Sequence, residues 1–410
     1  MDQADSGRQR ADQRIGALHR SGAESDRTQT PMVNNRKPAR GAEKNEDGTF
    51  MRMGSERSSL LCWLLSYVAS MTDAPSSLVR PEQDHQTLSA RRELQWALHA
   101  GLGPLLHHIG WGDDQGVLSE TLRSEDLTAQ FRHACRVDCT LDVIDACDTL
   151  GVPAALLKGI STSHQFYPRP HWRPMADVDV LVPGTAYGAV ESLLLEAGYT
   201  RPAMESVPGL QHGVPLVHVE RNVWVELHVS LFSRNSPFRG NGLFSPEQVW
   251  AHATPFEFHG RSVNRLADEV QLLYIACSWM NDLTHVGIHP SFIASLLDAI
   301  LLLKSAGPGL GWASLEPWLD DAMTASCLHV TLQYLHRHRL ANVDSEILSR
   351  LAARRHFVGS VQLSCIQAFL DRHLLGCRPW NMPFPLPVPG RYSFRHQFEK
   401  RIVGAWRRTT

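Results

Sequence analysis

The chain has 410 residues, of which 43% are hydrophobic and 20% charged, and its formal net charge is -2. This apolar content is sufficient for a large buried core, so it excludes a wholly disordered or fibrous chain. The near-neutral charge excludes a global attraction to nucleic acid, so any such contact would need a local basic patch.

Two regions precede the first predicted strand. Residues 1–50 mix both charge signs and hold few large apolar side chains. Such a composition buries too little surface to offset the entropy of ordering, so we predict a disordered N-terminal extension. Residues 55–150 repeat apolar side chains at helical spacing, which predicts an N-terminal helical region. Gly151 follows this region, as is typical of a helix C-cap.

From residue 152 onward, short apolar strands alternate with helices. The predicted strands are residues 152–157, 178–182, 216–219, 223–231, 256–258 and 262–263. Residues 162–167 are predicted to be a helix or a turn, and residues 187–197 a helix. Strands that alternate with helices and then form hairpins are typical of a small mixed sheet. The predicted fold class is therefore α/β (α+β), with a small mixed sheet over residues 151–265 flanked by N- and C-terminal helical regions.

Helical patterns dominate the rest of the chain as far as residue 375. The predicted helices of this C-terminal helical region (266–375) are 267–282, 290–305, 312–322, 324–340, 344–356 and 359–374. Residues 376–410 form a Pro-rich and then basic tail, with aromatic side chains between its arginines. Such a tail is typical either of a solvated arm or of a segment that contacts an anionic partner.

The cysteines and the apolar segments indicate where in the cell the protein is located and whether it contacts a membrane. The eight cysteines contain no Cys-x-x-Cys pair, which favours a reducing, cytoplasmic location. Cys135 and Cys139 lie four residues apart on a predicted helix, and we interpret them as buried, inert thiols rather than metal ligands. No run reaches the ~18 apolar residues of a membrane helix, so residues 60–71 and 292–303 predict buried helices and no membrane contact.

One predicted strand contains two acidic residues that indicate the chemistry of the protein. Asp177 and Asp179 alternate with valines, so both carboxylates project from the same face of the predicted strand. Two carboxylates this close need a compensating cation, and Mg²⁺ (or Mn²⁺) is the natural partner of clustered oxygen ligands. Two such ions can clamp the attacking and leaving oxygens of an in-line phosphoryl displacement.

Further polar residues surround this strand in the sequence. Glu226 and His228 share one face of a later strand, so Glu226 supplies a third carboxylate if the two strands are neighbours. His228 is predicted to be a hydrogen-bonding neighbour more than a ligand. Lys158 and Arg173 suit triphosphate oxygens, and Gly159 lets the backbone approach a phosphate closely.

These residues resemble the polymerase-β-like nucleotidyltransferase superfamily, and more narrowly the bacterial "uncharacterised nucleotidyltransferase" family. The shared motifs are Leu157-Lys158-Gly159, Arg173 with Asp177-Val178-Asp179, Glu226-Leu227-His228, and residues 296–299 with Trp312. The resemblance implies an enzyme that moves an NMP from an NTP such as ATP to an acceptor hydroxyl or phosphate. It implies metal binding and catalysis by Asp177, Asp179 and Glu226, and nucleotide binding by Lys158, Gly159, Ser161, Arg173 and His228.

Several alternatives stay open at this point. Ser161 is also explained as a helix N-cap. The superfamily has Gly-Gly or Gly-Ser where this chain has Lys-Gly, which leaves room for a non-catalytic nucleotide-binding protein. A phosphotransferase using the same carboxylates is a second rival. Small molecules, peptides, proteins and tRNA ends are all possible acceptors, and the family's likeness to biosynthetic tailoring enzymes favours a small molecule or peptide.

Overall fold

The computed structural model describes residues 60–71, 88–112, 116–203, 211–233, 236, 238, 243–285, 288–355, 358–378 and 380. The predictions of a disordered segment over residues 1–50 and of a Pro-rich, basic tail lie outside these residues, apart from the first few positions of the tail. The division of the chain into an N-terminal helical region, a core and a C-terminal helical region stays a prediction.

A mixed sheet of seven strands forms the centre of the described chain, as the sequence predicted. The strands are β1 (Ala155–Leu156), β2 (Asp177–Leu181), β3 (Tyr199–Thr200), β4 (Leu216–His218), β5 (Val223–His228), β6 (Ala253–Phe258) and β7 (Arg261–Leu266). Their order is β3-β4-β5-β2-β1-β7-β6. The pairs β2–β5 and β1–β7 are parallel, and the other pairs are antiparallel. The predicted α/β class is therefore confirmed.

Helices precede and interrupt the sheet. They are α1 (Leu60–Ser70), α2 (Leu88–His99), α3 (Gly103–His108), α4 (Gly116–Thr149), α5 (Lys158–Phe166), α6 (Tyr187–Glu196) and α7 (Pro246–Ala251). Helix α4 includes the predicted amphipathic segment, and Gly151 behind it has a φ of +64°. This left-handed conformation costs glycine little, so the predicted C-cap is confirmed.

The helices after the sheet are α8 (Asp268–His285), α9 (Phe292–Ala306), α10 (Glu316–Leu319), α11 (Ala322–Arg337), α12 (Ser345–Arg354) and α13 (Ser360–Leu370). The continuous helix predicted over residues 312–322 is wrong. A 3₁₀ turn, Trp312–Leu315, comes first, and α10 begins at Glu316. Pro317 explains the break because proline lacks the N–H donor and fits only the first turn of an α-helix.

The two faces of β2 contact different helical layers. Val178, Val180 and Val182 belong to one buried cluster that includes side chains of α4 and α6. Leu181 belongs to the other cluster, which contains most of α8 and α9. Since side chains alternate along a strand, Asp177 and Asp179 project to the same side as Leu181, toward α8 and α9.

One segment of the described chain passes a length and hydropathy test for a membrane span. This window, Phe292–Gly309, covers α9, and 56% of it is buried within the protein. Asp298 lies at 2% exposure inside it. Core helices of water-soluble proteins pass the same test, so the window is a weak indicator of membrane insertion.

The two neighbouring cysteines of α4 are buried. Cys135 and Cys139 are free thiols at 9% and 0% exposure. Within the described residues, neither belongs to a group of three or more side chains placed to bind a metal. These positions agree with inert, packed thiols.

Three histidines meet where α4, α5 and the β6–β7 turn come together. The Nε2 atoms of His133 and His164 lie 3.0 Å apart, and the ring of His259 lies 5.1 Å from that of His164. Burial and the neighbouring imidazoles lower the pKa of His133 to about 3 and that of His164 to about 4. Both rings are therefore neutral at pH 7.

These histidines predict acid sensitivity. Below pH 6.5 the unfolded chain binds protons at His133 and His164, whereas the folded chain does so only near their lowered pKa values. Stability is therefore lost as the pH falls from 6.5 toward 4. We therefore compare the urea concentration at the midpoint of unfolding at pH 7 and at pH 5. This concentration should fall less in His133→Gln than in the wild type. His336 is exposed, so in His336→Gln the midpoint should fall as much as in the wild type. A fall of the same size in His133→Gln would contradict the prediction.

Candidate active site

The register between β2 and β5 brings three carboxylates to one face of the sheet. The two strands are parallel neighbours, with Asp177 opposite Trp224 and Asp179 opposite Glu226. The expectation that the Glu226 strand lies beside the acidic strand is therefore confirmed. Parallel strands in register point equivalent side chains the same way, so Asp179 and Glu226 are direct neighbours.

Asp179, Glu226 and His228 form a compact group, the Asp179–Glu226–His228 cluster. Each residue offers one ligand atom, and these atoms all lie within 4.8 Å of one another. His228 Nε2 is 2.6 Å from Asp179 Oδ1 and 3.5 Å from Glu226 Oε2. Asp179 and His228 are 3% and 0% exposed. The cluster therefore combines two carboxylates and an imidazole largely out of contact with solvent.

Two further groups hold the cluster in place. His212 Nε2 lies 3.2 Å from Glu226 Oε2, the oxygen that also lies 3.5 Å from His228 Nε2. His228 Nδ1 lies 3.4 Å from the carbonyl oxygen of Ser230. The imidazole of His228 thus has a polar partner at each ring nitrogen, which fixes its orientation.

Lys158 supplies positive charge at the cluster. Its Nζ lies 3.5 Å from Asp179 Oδ1 and 6.0 Å from the centre of the Tyr274 ring. Its φ of +41° is uncommon for a residue with a side chain, and such conformations often mark functional positions. Burial lowers the pKa of Lys158, but Asp179 and the other nearby acids raise it by more, so the amine stays charged.

The pKa values of the two aspartates of β2 are shifted in opposite directions by their surroundings. Burial tends to raise the pKa of Asp179, but Lys158 and His228 outweigh it and hold that pKa well below its ordinary value. Burial and the negative charge of Asp179 raise the pKa of Asp177 to about 6. Asp179 is therefore a permanent anion, whereas Asp177 is the carboxylate with less compensation from cations.

A cavity of about 510 Å³ opens in front of β2, between the sheet and the helices α8 and α9. Its wall includes Lys158, Asp177, Gln271, Tyr274, Ser278 and Ser295. The α8 residues among them recur every three or four positions, so they share one face of that helix. The cavity therefore places hydroxyl and amide groups opposite the acidic strand.

Arg173 has a different partner from the one the sequence suggested. Its guanidinium donates to both carboxylate oxygens of Asp298 on α9, from Nε at 3.2 Å and from Nη2 at 2.8 Å. The Tyr167 hydroxyl also donates to Asp298, at 2.8 Å. Burial alone would lower the pKa of Arg173, but Asp298 raises it well above its ordinary value. Arg173 is thus held by a carboxylate of the protein itself, and nucleotide binding by Arg173 stays an untested prediction.

Gly159 and Ser161 also serve the packing of α5. A Cβ atom on Gly159 would lie 2.8 Å from Nη1 of Arg173, so the guanidinium fills the space that a side chain would occupy. Ser161 is the fourth residue of α5 and not its N-cap, because the helix begins at Lys158 after the extended Leu157. Its fully buried hydroxyl accepts a hydrogen bond from Gln165 at 2.5 Å. Neither residue belongs to the cavity wall, and nucleotide contacts for both stay predictions.

Three residues at the site were missed by sequence reasoning. His212 lies outside the predicted strands, so no pattern linked it to Glu226. Tyr274 and Gln271 lie on α8, whose apolar pattern predicts only a helix of the core. Their spacing with Ser278 is the signal that was available, because polar residues recur there at helical intervals within an apolar segment.

The acidic strand, the third acid on its parallel neighbour and the lysine beside Asp179 thus lie together in one site. The model of the family described as "Uncharacterised nucleotidyltransferase" matches residues 88–340, more than half of the chain. The chain therefore belongs to that family. No curated protein matches it.

Solved structures also match parts of the chain. The solution structure of the antibiotic-resistance factor ANT(2'')-Ia is 15% identical over 50% of this chain and 96% of its own, with a TM-score of 0.31. A nucleotidyltransferase-like protein from Paracoccidioides brasiliensis is 17% identical over 52% of this chain and 97% of its own, with a TM-score of 0.34.

The Arg173–Asp298 pair predicts a large stability effect. Asp298→Asn leaves a buried guanidinium without its counter-charge, so we expect the free energy of unfolding to fall by about 3–5 kcal/mol. Arg173→Met/Asp298→Leu removes both charges and should lose less than the single variant. The measurement is denaturant unfolding of each purified variant.

A matched control is Asp145→Asn, which breaks a surface pair with Arg261 in which both side chains are about half exposed. It should lower the free energy of unfolding by only about 0–1 kcal/mol. If Asp298→Asn and Asp145→Asn lower the free energy of unfolding equally, the buried pair contributes no more to stability than the surface pair.

Proposed function

We propose that the chain transfers a nucleoside monophosphate from an NTP to an acceptor, with divalent metal ions held by Asp177, Asp179 and Glu226. The observation that carries this proposal is the parallel register of β2 and β5. It places Glu226 beside Asp179, and Lys158, whose Nζ lies 3.5 Å from Asp179 Oδ1, belongs with Asp177 to the wall of a cavity of about 510 Å³.

The donor set at this position suits a metal ion. Asp179 and Glu226 offer carboxylate oxygens within 4.8 Å of each other, and their charge faces a lysine and an imidazole rather than solvent. Carboxylate oxygens are the ligands that Mg²⁺ and Mn²⁺ accept. When bound, such an ion neutralises charge that develops on the phosphoryl oxygens during transfer.

Lys158 is the residue that we assign to the triphosphate. Its amine is charged, its side chain is 36% exposed and it belongs to the cavity wall. An ammonium group binds a phosphate oxygen as a point charge, and it needs no fixed fork geometry to do so. Asp177 lines the same cavity, so the donor would enter between these two side chains and the polar face of α8.

The charges of the cavity favour a small polar molecule or a peptide as acceptor over a tRNA. Among the described residues of the cavity wall, the arginine and lysine side chains are Arg173 and Lys158. Arg173 already contacts the carboxylate of Asp298, and Lys158 that of Asp179. A polyanionic acceptor would need additional cations to offset its phosphates. The wall instead offers hydroxyl and amide groups, such as those of Ser278, Ser295 and Gln271, which bind hydroxyl-bearing groups by hydrogen bonds.

Radiolabelled nucleotide transfer tests this proposal. The protein is incubated with each α-³²P- and γ-³²P-labelled NTP, with Mg²⁺ or Mn²⁺, and with a panel of polar small molecules and peptides. We expect transfer of the α-label and a loss of at least ~100-fold in Asp177→Asn/Asp179→Asn, because the metal-binding charge is removed. Asp145→Asn is a control that removes a single carboxylate at the surface, and it should keep full activity.

The other outcomes of this assay identify the rivals. Transfer of the γ-label alone indicates a phosphotransferase. Metal-dependent thermal stabilisation by NTP without transfer of either label indicates a nucleotide-binding protein. Wild-type transfer by the double variant would refute the assignment of the two aspartates.

Lys158 gives a second, separate prediction. Lys158→Met keeps the length of the side chain and removes its charge, so we expect the Kd for α,β-methylene-ATP in the presence of Mg²⁺ to rise at least ~10-fold. Lys158→Arg keeps the charge and should recover part of this affinity. Isothermal titration calorimetry measures all three proteins, and an unchanged Kd in Lys158→Met would exclude the contact.

A further inference from the structure

We infer that His228 is itself a metal ligand, so that the Asp179–Glu226–His228 cluster selects a first-row transition-metal ion such as Mn²⁺ over Mg²⁺. This inference rests on the proposed metal-dependent function and assigns the ion that the site prefers. It replaces the expectation that His228 is a nucleotide contact or only a hydrogen-bonding neighbour of the carboxylates.

The first support is the spacing of the cluster. The three ligand atoms lie within 4.8 Å of one another, and one of them is a ring nitrogen of His228. Opposite ligands of a six-coordinate ion with bonds of about 2.1 Å are about 4.2 Å apart. The nitrogen and the two carboxylates are thus already gathered within roughly the width of one coordination sphere.

The second support is the partner of the other ring nitrogen. His228 Nδ1 lies 3.4 Å from the carbonyl oxygen of Ser230, and a carbonyl oxygen only accepts hydrogen bonds. Nδ1 therefore carries the hydrogen. Metal-binding histidines characteristically donate one ring N–H to a backbone carbonyl or carboxylate and bind the ion through the other nitrogen. In His228 that other nitrogen is Nε2, which lies against Asp179 and Glu226.

The third support is burial. His228 is 0% exposed, and it does not belong to the wall of the cavity. A contact between its ring and a nucleotide in that cavity is therefore blocked by other residues. Its Nε2 has the carboxylates of Asp179 at 2.6 Å and Glu226 at 3.5 Å as neighbours, so an ion bound between these carboxylates would meet Nε2 directly.

The composition of the ligand set decides which ion fits. Mg²⁺ takes oxygen ligands and retains its waters, whereas first-row transition metals also accept imidazole nitrogen. Two carboxylates and one imidazole leave coordination positions open for phosphate oxygens of a nucleotide. We therefore expect the site to bind Mn²⁺ more tightly than Mg²⁺.

Pulsed electron paramagnetic resonance on the full-length protein with one equivalent of Mn²⁺ tests the inference without any turnover. Electron spin echo envelope modulation detects a nitrogen bonded directly to the ion. We expect this ¹⁴N coupling in the wild type and its loss in His228→Gln. His212→Gln is the matched control, because His212 also contacts Glu226 but lies outside the three-residue cluster, and it should keep the coupling.

Calorimetric titration with Mn²⁺ and with Mg²⁺ gives an independent readout. We expect the wild type to bind Mn²⁺ at least ~10-fold more tightly than Mg²⁺. His228→Asp supplies an oxygen ligand and should reduce this ratio in favour of Mg²⁺. This variant also keeps the test valid if His228→Gln does not fold, which circular dichroism would reveal.

Three results would overturn the inference. They are bound Mn²⁺ without ¹⁴N coupling in the wild type, coupling that survives in His228→Gln, and a metal preference that does not change in His228→Asp. Failure of the proposed function looks different, because the coupling would be present while no NTP label is transferred with any metal.

Discussion

The buried ion pair between Arg173 and Asp298 joins the segment that leads into the acidic strand to the helix that walls the cavity. Both side chains are largely withdrawn from water, so the pair is stable only because the guanidinium meets both carboxylate oxygens and Tyr167 donates to one of them. Gly159 leaves room for the guanidinium beside the first turn of α5. The positions of Lys158, of β2 and of α9 therefore depend on one another, and with them the shape of the active site.

The same requirement for charge compensation governs the acidic cluster. Asp179 and Glu226 are neighbours on parallel strands, and a pair of carboxylates in a partly dry site needs positive charge nearby. Lys158 and His228 both contact Oδ1 of Asp179, and His212 lies against Glu226. Asp177, one step nearer the cavity, has less compensation and a raised pKa. The negative charge of the buried Asp179 is thus balanced by its neighbours, whereas Asp177 is an acidic group at the cavity that faces the polar side of α8.

Local patterns explain how much of this arrangement was predictable. The alternation of acids and valines gave the face of β2 correctly, because the side-chain period of a strand is two wherever the strand lies. Gly151 was recognised as a C-cap because its role depends only on the residues next to it. The pairing of β2 with β5 was a conditional expectation, since it needs two segments whose paired residues are 47 positions apart in sequence to be neighbours. Pro317 was the available signal for the break before α10, and the helical pattern around it concealed that break.

The sequence by itself determined the mixed α/β class, the family motifs and the acidic face, because these follow from periodicity and residue type over short distances. Only the tertiary structure decided the partners of individual side chains. Arg173 was a plausible phosphate ligand by chemistry alone, but Asp298, 125 positions later, meets its guanidinium. The sequence placed His228 on one strand face with Glu226, but only the fold brought its Nε2 to 2.6 Å from Asp179 and its Nδ1 to 3.4 Å from a carbonyl. Which charge meets which depends on distances between segments that are far apart in the chain, and no local pattern records those distances.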